Sequence, residues 1–491
     1  MKNILSSDLV RRALSGHAAV GLLAGALLYI LCLSGTLIVV HQEWQRWEQP
    51  TVAEATTLSP EAVQRAADTV LATEPRETEH FYITMPTDGL PRPVVTTDNR
   101  AFYLNANGSI AAREEHAWTE FLIHLHYYLH LPMLWGLIAV GALGVMMVTL
   151  IVGGVLAHPR IFRDAFRLRA RGQKQLALAD WHNRLGVWTL PFGLAIAVTG
   201  ALLGLSILTT QITAKTWYGG DVEAAYAPIF GAEGVHDDRP APLANIAGAM
   251  RDFATRFPDV RLSYVTMHDP GKAGQHLQLV GDHPRRLIFG EYYVYDSNGN
   301  FLRTQGLADG EIGKQAASST YKLHFGSFGG LPVKLAYILM GAALTVVAGT
   351  GMSIWLVKRR QRGRASPRLE GAWQAVLWAS PLLIALALVA RWTLGVDAPL
   401  VGFFWIGLAS IVAVASASAD GPRVKTWLAS ALGAVMVAIG AVHLIALGGA
   451  MQSIYIAFDL ILLAGGAALL RCYARAALVR RNAELVPTPA E

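Results

Sequence analysis

The sequence predicts a polytopic α-helical membrane protein carrying two α+β modules outside the membrane. Three observations lead there. Of 491 residues, 53% are hydrophobic and only 15% charged, too apolar a balance for a soluble enzyme of this length. Eight apolar runs are each long enough, at roughly 20 residues, to cross the hydrocarbon core as a helix. Two long polar segments interrupt these runs and read alike, so the chain carries an internal repeat.

In chain order, residues 1–41 give a basic start and span 1 (17–41). That apolar run is too long for a signal-peptide core, so a retained helix is expected. Residues 42–132 form module 1, with a helical pattern over Pro60–Ala72 and strand patterns over Phe81–Met85, Pro93–Thr97 and Ala101–Leu104. Residues 133–208 hold spans 2 (133–157) and 3 (184–208), joined by a basic loop. In that loop IFRDAFRLRAR sets Ile161, Phe162, Phe166 and Leu168 among arginines, an interfacial amphipathic pattern. Residues 209–332 repeat the module: a helix over Pro242–Phe257, then strands over Arg261–His268, His276–Val280, Leu287–Tyr295 and Phe301–Thr304. Asn107-Gly108 and Asn298-Gly299 mark turns before the closing strand of each copy. Residues 333–370 are span 4 (333–357) and a basic loop; residues 371–491 carry spans 5–8 at 371–391, 399–417, 425–447 and 452–471, a separate bundle with no module.

The formal charge of +6 does not point to nucleic acid, because the basic residues sit in short blocks beside apolar runs. These blocks are Lys2, Arg11 and Arg12; Arg160 to Lys174; Lys358 to Arg364; and Arg471 to Arg481. All four fall on one side when the spans alternate, so both termini are expected in the cytoplasm and both modules outside. Cys32 and Cys472 are too few for a disulfide framework or a cysteine-based metal site. Trp44, Trp47, Trp135, Trp181, Trp188 and Trp355 read as an aromatic belt, and Gly21 with Gly25 as a helix-packing motif.

Histidines crowd the span ends. In FLIHLHYYLHLP, His126 and His130 lie four residues apart and share a face on an unbroken helix, while His124 points away. Spans 1 and 3 repeat a pattern, His17 to Gly21 in HAAVG and His182 to Gly186 in HNRLG, where a glycine on the histidine's face leaves room for a flat macrocycle. In an up-down bundle of four, spans 1 and 3 are diagonal, as are 2 and 4. His17 then pairs with His182 on the cytoplasmic side, and His324 with His126 or His130 outside; His41 and His158 are secondary candidates. Imidazoles on both faces of an iron make a bis-histidine haem, suited to electron transfer because no coordination position is open. No CxxCH occurs, so the haem would be b-type and non-covalent. A zinc protease is excluded, since Tyr127 stands where the glutamate after the first histidine belongs.

Together HAAVGLLAGALLYILCLSGTLIVVHQE, HLHYYLHLP, AHPRIFRDAFRLR, DWHNRLGVWTLPF and LHFGSFGGLP followed by a span ending KRR resemble the PepSY-associated transmembrane proteins. This resemblance covers about residues 12–360 of the chain. The family comprises iron-regulated inner-membrane proteins and includes siderophore reductases. The resemblance implies a four-helix haem-binding bundle with two PepSY-like modules in the periplasm, using two b-type haems to pass electrons to a ferric siderophore. It places the family's span-end histidines on His17, His41, His126, His130, His158, His182 and His324, and departs from the usual pattern at Gly193, where relatives commonly carry histidine. No Rossmann glycine fingerprint is present, so quinol or a separate flavoprotein is the expected electron donor, with membrane lipid as the surroundings. The alternatives are a siderophore or haem permease, with Asp459, His443 and Asp397 as its slight polar evidence, and a haem-free sensor or anchor.

Overall fold

The computed structural model describes the chain except residues 1–5, 159, 165–173, 231–236, 284–285, 306–310, 448–451 and 485–491. It divides into two compact units: a helical one of Met1–His41, His116–Ala201 and Lys334–Glu491, and a sheet unit of Gln42–Glu115 and Leu202–Val333.

Seven helices of the described residues are long and apolar enough to cross a membrane: Ser7–Ile38, Met133–Ala157, Gly330–Gln361, Pro367–Leu394, Leu400–Ser418, Gly421–Ala446 and Ser453–Tyr473. They correspond to spans 1, 2 and 4–8. Span 3, expected as one straight run, is instead a pair, Ala177–Trp188 and Leu190–Gly204, bent by 69°. The physical cause lies in LPF: Pro191 cannot donate a backbone bond to the preceding turn and its ring crowds that turn's carbonyl. Thr189 fills the break, its hydroxyl donating to Leu185 O at 2.8 Å. Span 1 starts ahead of the apolar run, where Ser6 caps it by accepting from Leu9 N–H at 3.2 Å.

Spans 1–4 pack in a ring. Gly341 of span 4 faces Thr36 of span 1, Gly144 of span 2 lies against the Ala197–Ala201 backbone of span 3, and Gly193 of span 3 touches Leu344 of span 4. Gly21 has only Leu150 in ordinary contact and Gly25 faces open space, so the expected Gly21–Gly25 packing seam does not form. Spans 5–8 make a second cluster in which Gly433 and Gly440 of span 7 sit against the backbone of span 8 at Gly466 and Asp459. The short helix Ala117–Tyr128 docks on both groups. Trp118 donates its indole N–H to Ile384 O of span 5 at 2.9 Å, Phe121 meets Phe404 of span 6, and Trp405 donates to Leu129 O at 3.2 Å. The loop pattern expected around Phe166 and Leu168 lies outside the described residues; Ile161 and Phe162 are in the short helix Ile161–Asp164.

In the sheet unit the two modules are not separate. Strands β1 (His80–Thr84), β2 (Val94–Thr97), β3 (Ala101–Leu104), β4 (Ile110–Arg113), β5 (Arg261–His268), β6 (His276–Asp282), β7 (Glu291–Tyr295) and β8 (Phe301–Gln305) form one sheet. Its order is β4-β3-β2-β1-β5-β6-β7-β8, antiparallel throughout and joined at β1–β5. The helices Pro60–Ala72 and Ile246–Arg256 cover one face, bound to each other by Gln64, which donates to Ala244 O and accepts from Ala247 N–H. Alternation aims Phe81, Ile83, Val95, Val265, Met267, Leu277 and Leu279 at these helices, all fully buried, each stabilising by about 1.5–3 kcal/mol. Turn glycines Gly108 and Gly299 both adopt positive φ (84° and 85°) and press on the module helices, at Ala62 O and Asn245 O. Trp47, expected in the aromatic belt, is fully buried in this unit.

Candidate functional site

The inner histidines meet. His17 of span 1 and His182 of span 3 stand with ring centroids 6.3 Å apart and planes at 84°. Each ring's Nδ1 faces a backbone carbonyl of a different span: His17 to Leu150 O of span 2 at 2.9 Å, His182 to Val347 O of span 4 at 3.1 Å. Thr350 Oγ1 lies 3.0 Å from the same His182 nitrogen. A carbonyl can only accept, so Nδ1 carries the proton and Nε2 keeps its lone pair. Two neighbouring imidazoles, each tied at Nδ1 to a carbonyl of another span, are residues that could hold a haem iron between them.

Glycines shape the pocket, but not those the HxxxG spacing suggests. A Cβ on Gly154 would lie 3.3 Å from His17 Cε1, and one on Gly351 3.5 Å from His182 Cε1. Gly186 faces open space. Gly154, Gly351 and Thr350 belong to spans 2 and 4, so no local pattern around either histidine reveals them.

Among the second group, His126 repeats the inner arrangement. Its Nδ1 is 3.0 Å from Leu31 O of span 1, with Ser34 Oγ at 3.4 Å, and its ring lies against Gly35, where a Cβ would approach Cε1 to 2.6 Å. His130 does not share its face, contrary to the i, i+4 expectation. The helix ends at Tyr128, Leu129 and His130 turn left-handed (φ 53° and 56°), and the His130 ring stacks on Phe121 at 4.9 Å with Nε2 facing Phe121 O at 3.0 Å. The partner of His130 is instead His124, 6.1 Å away and perpendicular. Sequence spacing assigned these roles in reverse because it assumed an unbroken helix.

His324 lies in the sheet unit, at the end of the helix Ile312–Phe325 and edge-on to Phe325. His41 opens the helix His41–Glu48, Nδ1 3.0 Å from Ile38 O. His158 caps span 2, and its imidazole has no hydrogen bond or ring contact among the described residues. His116 is buried near His41; burial, then the positive fields of His41 and Arg391, pushes its imidazole down to about 4. Among the described residues no three of His, Cys, Asp and Glu converge as a metal cluster, whereas a haem iron asks two protein donors.

A further histidine row lies in the sheet unit, two of whose members, His268 and His276, the sequence suggested only as residues that could line a ligand surface. His80, His268 and His276 stand opposite one another on β1, β5 and β6, on the sheet face away from the helices. His80 and His268 rings are 5.2 Å apart, and His80 Nδ1 is 2.9 Å from Asp98 Oδ1.

The model of the PepSY-associated TM region matches residues 14–358. The chain belongs to the PepSY-associated transmembrane family. This match takes in spans 1–4 and both modules and ends before spans 5–8. The chain is also similar to an uncharacterized protein of Pseudomonas aeruginosa, 26% identical over 288 residues, covering 55% of this chain and 72% of that protein.

Proposed function

We propose that this PepSY-associated membrane protein is a reductase that holds b-type haem between histidines of facing spans and passes electrons outward to ferric siderophores. The observation that carries this reading is the His17–His182 pair, two neighbouring imidazoles whose Nδ1 atoms are each occupied by a carbonyl and whose other nitrogens would be the ones to hold an iron. Bound haem would supply one-electron chemistry. The chain's own residues set its terms: Leu150 and Val347 carbonyls fix the tautomers, Thr350 adds a contact to His182, and Leu31 does for His126 what they do for the inner pair. On this reading His126 serves a second haem outside, the protein lies in a bacterial inner membrane with basic loops and termini in the cytoplasm, and quinol or a flavoprotein is the donor. Reduction releases iron because hard oxygen ligands suit the ferric ion and hold the ferrous ion weakly.

Protein purified from cells supplied with haem should be red, with a Soret band and about two haems by pyridine haemochrome; a colourless preparation sinks the idea. His182→Ala should remove one haem and leave the helical content intact.

A permease is the second reading, favoured by the 69° bend in span 3 and by a buried His443–Asp459 pair, since broken helices and mid-membrane ionisable groups mark transport sites. Siderophore or haem accumulation in vesicles separates it from the reductase.

A further inference from the structure

Spans 7 and 8 are joined by a buried ionisable pair. His443 Nδ1 lies 3.0 and 2.9 Å from the two carboxylate oxygens of Asp459; His443 is 6% exposed and Asp459 fully buried. Trp392 of span 5 lies parallel to the imidazole, centroids 6.2 Å apart with planes at 10°. Gly440 makes the approach possible, because a Cβ there would meet Asp459 O at 2.9 Å. Packing alone does not call for such a pair, since apolar residues of similar volume hold helices together as well or better, and in a membrane segment an ionisable group marks function by default.

We propose that His443–Asp459 is a proton-loading site that takes up one proton when an electron enters the membrane core and releases it when the electron leaves. This step rests on the haem reading above. An electron arriving in a low-dielectric interior leaves one uncompensated negative charge, and such charge is costly to bury. One proton taken from water by the pair restores the balance. When the ferric complex is reduced, the electron goes to its iron and the proton returns to water, so only N–H and O–H bonds form and break.

One short helix touches the spans on both sides. The helix Ala117–Tyr128 places His126 on Leu31 O of span 1 and, through Trp118, grips Ile384 O of span 5. Trp392, against His443, lies eight residues further along that span, about 12 Å at helical rise. Among the described residues the surrounding elements bring the following ionisable groups. Span 5 brings Arg391, within electrostatic reach of His116, beside Trp392. Span 8 adds the buried Tyr455 one turn before Asp459, span 6 carries no Asp, Glu, His, Lys or Arg, and Arg423 and Lys425 stand at the opposite end of span 7.

The test is spectroelectrochemistry of the haem bands of the full-length protein in nanodiscs between about pH 6 and 8, the range in which histidine exchanges protons. In the wild type the midpoint potential should fall as pH rises; in Asp459→Asn the slope should be lost with haem content unchanged. Equal slopes in both proteins, or none in the wild type, overturn the proposal. A preparation without haem instead refutes the reading beneath it. Should Asp459→Asn not fold, infrared redox difference spectra decide: a carboxyl C=O band should appear on reduction and move in His443→Gln, and its absence overturns the proposal.

Discussion

Gly35→Ala tests the assignment of His126 most directly. The added Cβ would stand 2.6 Å from His126 Cε1, 3.0 Å from Nδ1 and 3.4 Å from Nε2, so the ring must shift. Ordinary contact begins at 3.4 Å, and 3.4 − 2.6 leaves 0.8 Å by which the ring must retreat. That displacement breaks the 3.0 Å approach of Nδ1 to Leu31 O and exceeds the ~0.5 Å tolerance of a working constellation. Overpacking of this kind costs about 1–3 kcal/mol, which a large membrane bundle survives, so the fold should persist while the ligand is lost. The same substitution grades the pocket: Gly351→Ala (3.5 Å) should be tolerated, Gly154→Ala (3.3 Å) should perturb His17 mildly, and Gly25→Ala, facing open space, should do nothing. The assay is haem per protein by pyridine haemochrome with circular dichroism as the folding control. Gly35→Ala with full haem content and an unchanged spectrum would refute the placement of His126 as an axial ligand.

Three further predictions follow from single contacts. Thr350→Ala removes one of two oxygens facing His182 Nδ1 and leaves Val347 O in place, so haem content should hold while the midpoint potential of one haem rises, as expected for a less basic ligand. His130→Gly removes the Phe121 stack and the bond to Phe121 O while relieving the positive φ, and should leave haem content intact; loss of haem would restore His130 as a ligand. Asp98 is pushed up by burial but held down more strongly by N–H groups of His80 and Glu79 and by the side chains of Thr78 and His80, which together set its carboxyl at about 2. The stabilisation is therefore complete above the usual carboxylate range near pH 4 and lost as pH falls through about 2; Asp98→Asn should speed hydrogen exchange in β1 and β2 at neutral pH, with the difference vanishing at pH 2.

The sequence made the spans, both module helices and most strands legible because each rests on a local period, 3.6 residues for Pro60–Ala72 and 2 for Arg261–His268. β4 escaped delineation because Ile110–Arg113 is a four-residue edge strand with an exposed, weakly patterned face. Fusion of the modules through β1–β5 was invisible for a different reason: strand pairing across 180 residues leaves no local mark. At the candidate site, repeated HxxxG singled out His17 and His182, which the structure brings together, yet the groups that tie down their Nδ1 atoms come from spans 2 and 4. His126 and His130 were misjudged because the left-handed turn at Leu129 carries no glycine to announce it.

The internal repeat explains why the inner histidines must come in pairs. Each unit shows the duplication separately: in the helical unit His17 and His182 occupy matching places in the two copies and meet at the centre of the ring of spans, and in the sheet unit the matching strands β1 and β5 pair with each other. Each copy contributes one ring to the His17–His182 pair, so neither copy alone holds both, and half of the chain is no smaller version of the whole. The stretch before span 2 offers His124, His126 and His130, of which His126 has its Nδ1 on a carbonyl of span 1 and its ring against a glycine, as His17 has on span 2. The corresponding stretch before span 4, residues 312–332, contains one histidine, His324. Spacing alone therefore leaves three histidines open in the first copy and one in the second, and only in the first did the structure distinguish them.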